Sequence, residues 1–580
     1  MTCTKFRLTT VAALVLAATN ANAALYKVVE VTPSITGASE IFGVAIQPAT
    51  VSGTESCFTT GTVGGIACDS FKLAGETRDT LEAVSYREEV PFAMDAPFQY
   101  IQERDDFENY CKRELRYSTC ESWAENRWND TWSKERNELS YVNAKAFVEG
   151  GDTFESRNTV INSLDDDAKP VGVKSEGGIR NNALFTTTAA PTGTSETRAW
   201  KAITASNGTV YNVGSVSEEF EPTDTSKPDK AFASKAAIWD ASYTKKLDWG
   251  NSVSAREDQY FSQGSMRGIT EVNNHFYGVG YNTVNGNGDL RDMNANIFVS
   301  SQIDFTNDVD LSTVTWDNKF ISGAEVKSGS SNDDARYSNS VATDINENLF
   351  AVGYSKRNGY VPESGSAGNK IFVVSDASAS TPTATYLSGG IFFGGSSGEA
   401  KAVNNFNEFV GQIDAETTRE VDGSERRHRG FIYPYNVASS KDERRVDIFN
   451  GQAWWLDDLT NDGNASGENN KFRIIDATDI NDAGVISATA IKCMIDTDGD
   501  GRGDSEQTYD TTSHNSYCAG AASNAVEEVV AVKLIPIAGK GKADIQTRSA
   551  DTEKVDRQGG SLGWLGSTVL GLLGFRRKFK

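Results

Sequence analysis

The sequence predicts an all-β fold, a β-propeller of seven blades, with six or eight blades or two β-sandwiches as alternatives. Short β-prone runs, broken by Gly, Asn, Asp and Ser, fill the region 24–537. A turn-plus-strand unit recurs along this region. One β-prone run, Tyr26–Val31, begins the region and another, Val529–Ile535, ends it. Pairing the first strand with the last would close a ring and remove its open edges.

The recurring unit is clearest at Ala342–Ser355, where a polar turn around Asn346 leads into an apolar run that ends at Gly353. Ala477–Ala488 repeats the opening of this unit as Ala-Thr-Asp-Ile-Asn. Aligned on the final glycine, the copies end at Gly43, Gly150, Gly214, Gly280, Gly353, Gly411 and Ala488. Most copies carry an Asn in the turn: Asn143, Asn207, Asn273, Asn346, Asn404 and Asn481. The copies lie 58 to 107 residues apart, longer than the ~40–50 residues of a four-stranded blade, so we expect extended loops.

The long first interval has a different composition and predicts a helical insertion within residues 70–140. Thr80–Leu139 is rich in charged and aromatic residues, and Trp123, Trp128 and Trp132 stand near helical spacing. We expect this insertion to cap one face of the ring. The three tryptophans form either a carbohydrate platform or the buried face of a helix, and the buried face is favoured because such stripes usually pack inward.

The first 23 residues predict a signal peptide. Lys5 and Arg7 precede an apolar run, Leu8–Ala18, and a small-x-small cleavage site ends at Ala23. The apolar run is too short to span a membrane as an anchor. We therefore expect export across the inner membrane and a mature chain that starts at Ala24.

The other end of the chain predicts a second processing signal. A polar linker, 538–558, leads to Gly559 and Gly560, then to an apolar segment, Ser561–Phe575, and a basic tail. This order resembles the GlyGly carboxy-terminal sorting signal of Gram-negative bacteria. The resemblance implies passage through the type II secretion machinery, cleavage by a rhomboid-type sorting protease (rhombosortase) and a cell-surface or extracellular product. A helical segment of ~22 Å is short against a hydrocarbon core of ~30 Å. It suits a transient transmembrane span, and a permanent tail anchor is the alternative.

Charge and cysteine content fit an extracellular protein. The net charge of −24 becomes −30 when the six basic residues of the two terminal segments are removed. Such an acidic chain is a poor partner for nucleic acid or anionic lipid. Apart from Cys3 in the signal peptide, the cysteines form close pairs in sequence: Cys57/Cys68, Cys111/Cys120 and Cys493/Cys518. Local pairing is the simplest of the possible connectivities in an oxidising compartment.

The loop between Cys493 and Cys518 predicts a structural calcium site. Carboxylates stand at loop positions 1, 3, 5 and 9, Gly501 is at position 6, and the backbone carbonyl of Arg502 is available at position 7. The carboxylates belong to Asp496, Asp498, Asp500 and Asp504. Position 12 is Gln507 rather than the Glu of an EF-hand, so the loop resembles the Asp-rich calcium loops of secreted repeat proteins. A solvated acidic loop is the alternative.

The chain as a whole resembles an uncharacterised family of secreted gammaproteobacterial proteins of similar length, known as a domain of unknown function. The repeated Ile-Asn-x-x-Gly-x-x-Val-Gly unit also resembles the HAF-type repeats of extracellular propellers. Neither resemblance implies a catalytic residue.

No motif in the sequence predicts catalysis. Gly394–Gly398 satisfies G-x-S-x-G, but a repeat copy follows it instead of a nucleophile-elbow helix. We therefore expect a secreted or surface-anchored binding module for an extracellular glycan or protein. The alternative is a hydrolase, similar to propeller glycosidases, with acids in the central opening, so the question of enzymatic activity stays open. Two or three acids with raised pKa values lining one pocket would distinguish these hypotheses.

Overall fold

A computed structural model describes the chain between residues 24 and 549. The residues outside the description are 1–23, 36–39, 54, 79–102, 113–118, 130–132, 135–141, 143, 152, 155–158, 177–178, 185–195, 221–230, 251–252, 258–259, 285–292, 325–339, 357–367, 418–425, 438–441, 465–466 and 550–580. The described residues form 32 strands, which we number in chain order, and few helices.

The first three sheets follow one another along the chain. Sheet 1 contains β2 (Glu40–Ile46), β5 (Leu73–Arg78), β6 (Lys145–Val148) and β7 (Thr153–Phe154). Sheet 2 contains β8 (Val160–Leu164), β9 (Pro170–Glu176) and β10 (Ile179–Leu184). Sheet 3 contains β11 (Glu196–Thr204), β12 (Val210–Phe220), β13 (Ala231–Trp239) and β14 (Thr244–Lys246).

The next three sheets have the same antiparallel order. Sheet 4 contains β17 (Gly264–Val272), β18 (His275–Thr283), β19 (Met293–Ser300) and β20 (Trp316–Phe320). Sheet 5 contains β21 (Ser340–Ile345), β22 (Ala351–Lys356), β23 (Asn369–Val374) and β24 (Thr385–Tyr386). Sheet 6 contains β25 (Gly398–Val403), β26 (Glu408–Asp414), β27 (His428–Pro434) and β28 (Trp454–Trp455).

Sheet 7 joins the two ends of the described chain. It contains β29 (Phe472–Ile480), β30 (Ile486–Ile495), β32 (Ala525–Pro536) and β1 (Tyr26–Glu30), with β31 (Ser505–Glu506) paired to β30. Tyr26 stands opposite Pro536 in the antiparallel pair, as the ring-closure prediction requires. Two small hairpins lie outside the sheets: β3 (Thr62–Val63) with β4 (Ile66–Ala67), and β15 (Arg256–Glu257) with β16 (Tyr260–Phe261).

The seven sheets form a ring. The first strand of each sheet contacts the first strand of the next, and β29 returns to β2. Six of the sheets are blades of four or more strands, and sheet 2 has three described strands. The predicted all-β propeller is therefore confirmed. The core is divided between neighbouring sheets: Val213 and Ile238 of sheet 3, for example, pack with Ile269 and Phe276 of sheet 4.

A β-bulge lies at the same place on the innermost strand of every sheet, and it explains the repeated glycine. In sheet 4, Met266 pairs with Gly280, and the register then shifts before Gly268. A Cβ at Gly280 would collide with the carbonyl oxygen of Ser265. The residues opposite the seven bulges are Gly75, Gly172, Gly214, Gly280, Gly353, Gly411 and Ala488. Glycine is required where a bulged backbone approaches the neighbouring strand this closely.

Two of the predicted repeat copies were placed wrongly. Gly43 lies on the innermost strand β2, where it pairs with Gly75, and Gly150 lies in the turn after β6. Gly75 and Gly172 occupy the glycine position of sheets 1 and 2. The alignment failed there because a lone glycine does not show which strand carries it.

Three of the turn asparagines link their sheets to the next sheet in the ring. Asn346 Oδ1 accepts a hydrogen bond from the Phe350 N–H of its own turn at 3.1 Å, and its Nδ2 donates to the Asn404 carbonyl of sheet 6 at 2.8 Å. Asn404 donates in the same way to Asn481 at 3.2 Å, and Asn481 donates to Gln47 at 2.9 Å. An amide is needed because one end must accept and the other must donate. The repeated Asn is thus part of the ring's framework.

Helices and disulfides also follow the predictions where the structure describes them. The insertion contains the helices Arg104–Tyr110 and Cys120–Arg127, joined by the disulfide Cys111–Cys120. Disulfides also join Cys57 to Cys68 and Cys493 to Cys518. The other helices among the described residues are Asp442–Asp447 and Leu456–Leu459, with 3-10 turns at Glu468–Lys471, Cys518–Gly520 and Lys542–Asp544.

Among the described residues, no helix combines the length and the apolar character that a membrane crossing requires. The predicted signal peptide 1–23, with its cleavage residue Ala23, lies outside the described residues. The predicted sorting segment 559–580, with Gly559 and Gly560, also lies outside them.

Candidate functional site: the central channel

The bulges place one residue of every sheet on the wall of a central channel. The extra residue at each bulge is Val44, Asn162, Trp200, Arg267, Thr343, Lys401 or Thr478, and all seven line one cavity. The cavity has a volume of about 1530 Å³, above the ~300–1,000 Å³ of common small-molecule pockets. A channel of this size has room for a short oligomer as well as for a single small molecule.

An ion pair crosses the channel wall. Lys201 of sheet 3 places its Nζ 2.6 Å from Oδ1 of Asp344 of sheet 5. Sheet 4 lies between them in the ring and contributes Gly268, whose missing side chain leaves room for the pair. Burial lowers the pKa of the Lys201 ammonium, but the nearby carboxylates, Asp344 first, outweigh this effect and raise it. Lys201 is therefore a fixed cation.

Two aspartates hold neighbouring sheets together from equivalent positions after the bulge. Asp344 Oδ2 accepts a hydrogen bond from Val403 N–H of sheet 6 at 3.0 Å. Asp479 Oδ2 accepts one from Ile46 N–H of sheet 1 at 2.9 Å. Burial in the channel raises the pKa of Asp479 to about 6, although backbone hydrogen bonds and Lys201 oppose the shift. This carboxyl group is therefore partly protonated near neutral pH.

Two further acids at the turn end of the channel share a partner. Both oxygens of Asp482 accept hydrogen bonds from Asn405, at 2.7 Å from the backbone N–H and 2.9 Å from Nδ2. The Glu347 side chain also bonds to Asn405. Desolvation raises the pKa values of both Asp482 and Glu347. Three acids with raised pKa values thus line one cavity, and each carboxyl group is held by hydrogen bonds.

Charge is polarised along the channel. One end of the channel is formed by the hairpin turns that follow the innermost strands, and we call it the acidic end. Its charged lining residues are one lysine and six acids: Lys201, Asp166, Glu271, Asp344, Glu347, Asp479 and Asp482. The opposite end, below the insertion, is lined by Arg78, Arg127, Arg426, Arg427 and His428 together with Glu399, Asp476 and Glu527. A charged ligand therefore meets different environments at the two ends.

The insertion contributes residues to the end of the channel that is lined by arginines. The sequence predicts that the insertion covers one face of the ring, and this placement agrees with that prediction. Trp123 and Arg127 line the cavity. Trp123 is only 3% exposed, and its ring packs edge-on against Phe107 at 6.0 Å, while the Arg127 guanidinium covers it at 4.1 Å. These contacts agree with the buried-face interpretation for Trp123. Trp132 lies outside the described residues.

The predicted calcium loop brings three of its four carboxylates together. Oxygens of Asp496, Asp498 and Asp504 lie within 4.8 Å of one another. The Asp500 carboxylate accepts the Arg502 N–H at 2.8 Å and is not in this group. Hydrogen bonds from Gly499 and Gly501 lower the pKa of Asp496, and Thr497 lowers that of Asp504. These carboxyl groups are ionised at neutral pH and could supply oxygen ligands.

The sequence contains a signal for the channel acids. Asp344 and Asp479 are the Asp of the repeated Ala-Thr-Asp-Ile-Asn segment. The segment predicts a turn, but its Asp precedes that turn and lines the channel. Arg267 is a bulge residue and Lys201 directly follows one. The residue types at these positions differ from sheet to sheet, so the sequence repeat does not reveal them.

The fold and the site together define the class: a β-propeller with a charge-polarised central channel. Residues 202–578 match the family described as "Protein of unknown function (DUF3466)". The match spans more than half of the chain, and the chain belongs to this family. A comparison with curated proteins finds no match.

Proposed function

We propose that the protein is an extracellular binding module that takes a short glycan in its central channel. The observation that carries this proposal is a central cavity of about 1530 Å³, lined by an aromatic side chain, Trp200, and by charged and amide groups from all the sheets. Aromatic faces with a few fixed polar groups are the usual lining of a specific ligand site. A protein ligand is the other partner class, and it would enter the channel only as an extended segment.

A hydrolase is the second candidate, because Asp479, Asp482 and Glu347 have raised pKa values in one cavity. A raised pKa near neutral pH suits a general acid. Both Asp479 oxygens, however, accept backbone hydrogen bonds, from Ile46 and from Ile480. Asp482 is similarly held by Asn405. These contacts hold the ring together and favour binding over proton transfer.

A glycan array run beside a panel of chromogenic glycosides tests the two candidates. The channel variant is Trp200→Ala, and the control is Tyr243→Ala, an exposed aromatic outside the channel. Binding that disappears in Trp200→Ala and persists in Tyr243→Ala supports the binding module. Turnover that disappears in Asp479→Asn would establish the hydrolase instead. A protein that neither binds nor cleaves any glycan contradicts both.

We also propose one structural Ca²⁺ in the loop between Cys493 and Cys518, with Asp496, Asp498 and Asp504 as its carboxylate ligands. Asp500 and the Arg502 carbonyl, which the sequence also predicts as ligands, are not part of the converging group. The convergence of Asp496, Asp498 and Asp504 supports the proposal, because hard cations prefer clustered carboxylate oxygens. The disulfide Cys493–Cys518 brackets this loop and limits its freedom when no ion is bound.

We also propose export and carboxy-terminal sorting, on the basis of the two terminal segments of the sequence. The partners in this processing would be the type II secretion machinery and the rhomboid-type protease. Three disulfides support an oxidising destination. Intact mass of the native protein should correspond to a start at Ala24 and an end near Gly559 or Gly560. Recovery of the basic tail, Arg576–Lys580, in mature material would contradict the sorting proposal.

A further inference from the structure

Two bulge residues of neighbouring sheets stack on each other and form a platform on the channel wall. The Arg267 guanidinium of sheet 4 lies 3.4 Å from the ring centre of Trp200 of sheet 3, and 5.5 Å from that of Tyr281. Stacking on an aromatic face fixes the guanidinium plane and leaves its edge N–H groups directed away from the ring. Arg267 and Trp200 both line the cavity.

The platform offers donors without an acceptor. Arg267 Nε and Trp200 Nε1 are buried atoms that make no hydrogen bond within the described part of the chain. Across the described ranges, no carboxylate forms an ion pair with Arg267. The two lysines of the same wall are paired: Lys201 with Asp344 at 2.6 Å and Lys401 with Asp476 at 2.9 Å. Among the described residues, Arg267 is thus a channel cation without a counter-ion, in contrast to these two lysines.

A planar anion matches this arrangement. The guanidinium edge binds both oxygens of a carboxylate at once, and charge-assisted bonds of this kind are stronger than neutral ones. The indole N–H supplies a further donor. Towards the insertion, the cavity reaches Arg427, which also has no ion pair with a described residue. An anion that enters from this end avoids the six acids at the other end.

We propose that Arg267 and Trp200 form a subsite for the carboxylate of a uronic acid residue, so that the channel selects acidic over neutral glycans. This inference rests on the proposed glycan-binding function. The net charge of −24 opposes the approach of a polyanion, but at physiological salt this repulsion is screened beyond ~8 Å. Within the channel, the nearby Arg267 guanidinium therefore determines the preference for an acidic over a neutral glycan.

The test uses uronic acid oligosaccharides, their neutral methyl esters, sulfated neutral oligosaccharides and unmodified neutral oligosaccharides, with affinity measured by calorimetry at physiological salt. Wild-type protein should bind an acid at least about ten-fold more tightly than its methyl ester, as expected when one charge-assisted pair is lost. Arg267→Gln should abolish this preference. Arg267→Lys keeps the positive charge but loses the paired N–H donors of the guanidinium, so it should retain only part of the preference for the acid. Trp200→Phe keeps the aromatic ring and should weaken acid binding several-fold, and unchanged melting temperatures would show that the variants fold.

Each other outcome contradicts the subsite in a recognisable way. Equal binding of acid and ester by the wild type, or an acid preference that survives in Arg267→Gln, overturns the subsite and leaves the glycan-binding function standing. Arg267-dependent binding of sulfated glycans alone overturns the assignment to a carboxylate. An absence of binding to every glycan overturns both the subsite and the proposed function.

Discussion

The ammonium of Lys201 and the carboxylate of Asp344 meet at 2.6 Å although they belong to sheets 3 and 5. The ion pair passes Gly268 of sheet 4, where an added Cβ would lie 2.8 Å from Asp344 Oδ1. The second Asp344 oxygen accepts the Val403 N–H of sheet 6. One carboxylate therefore connects three sheets around the channel, and its charge is balanced by a single lysine.

Replacing Lys201 with Met should destabilise the protein, because it leaves the Asp344 carboxylate buried without its counter-ion. Removal of one partner of a fully buried pair costs ~3–5 kcal/mol. The Lys201 side chain is 34% exposed, so we expect a smaller loss, about 2 kcal/mol after solvent screening. The free energy of unfolding in urea measures this change.

The matched control is Lys169→Met, which removes an exposed ion pair with Asp167. Exposed pairs contribute little, so this variant should unfold like the wild type. If the two substitutions lower the free energy of unfolding equally, the Lys201–Asp344 pair contributes no more to stability than an exposed ion pair.

The raised pKa of Asp479 predicts a pH-dependent stability. Burial raises the pKa of this carboxyl group from its ordinary value of 3.8 to about 6 in the folded protein, so between these pH values the folded state binds more protons than the unfolded state. Stability should therefore fall as pH rises from about 4 to about 6, and Asp479→Asn should lack this decline. The expected difference between the two profiles is on the order of 2 kcal/mol, reduced from the full shift because water reaches the channel.

Urea unfolding at a series of pH values between 4 and 8 measures the two profiles. Asp308→Asn, on an exposed loop, is the control and should follow the wild type. Parallel profiles for the wild type and Asp479→Asn would show that Asp479 does not resist ionisation in the channel.

Replacing a glycine opposite a bulge should lower the free energy of unfolding more than most single substitutions do. In Gly411→Ala the new Cβ would collide with the backbone carbonyl of Glu399, which a side-chain rotation cannot relieve. We expect a loss of about 3 kcal/mol, at the upper end for overpacking, in the free energy of unfolding. Gly151→Ala is the control, because its Cβ would make only ordinary contacts, the nearest at 3.5 Å. Similar stabilities of the two variants would contradict this explanation of the repeat.

The same glycine shows how far the sequence could predict the fold. A bulge demands Gly on the facing strand whatever the neighbouring side chains are, so the residue recurs and the blades can be recognised. Sheet 7 is the exception: Ala488 fills the position, and β29 there has a second register shift between Ile474 and Asp476. Gly43 and Gly150 misled the alignment because a lone glycine does not show which strand carries it: Gly43 lies on the bulged strand β2 itself, and Gly150 lies in the turn after β6.

The channel could not be predicted in the same way. Its wall is built from equivalent positions, but Val44, Trp200 and Lys401 share no chemistry, because a bulge residue that faces open space has no packing requirement. The pairing of Lys201 with Asp344 depends on the closed ring, across 143 residues of sequence. Such residues are recognised only when the ring places them together.

The calcium proposal predicts that removal of the metal lowers stability. If one Ca²⁺ binds the folded loop at about 100 times its Kd, it adds ~2.7 kcal/mol to the free energy of unfolding. For a chain of this length, a chelator should then lower the melting temperature by on the order of 2 °C. Differential scanning calorimetry with and without chelator measures this shift.

Two aspartate variants distinguish a metal site from a solvated loop. Asp498→Ala should abolish the chelator effect, because Asp498 is one of the three converging carboxylates. Asp500→Ala should retain most of the effect, because the Asp500 carboxylate is bonded to the Arg502 N–H and lies outside that group. If the wild type melts at the same temperature with and without chelator, the clustered charges are balanced by the backbone N–H groups of Gly499 and Gly501 alone. An equal loss in both variants would instead place Asp500 among the ligands and require the loop to rearrange around the ion.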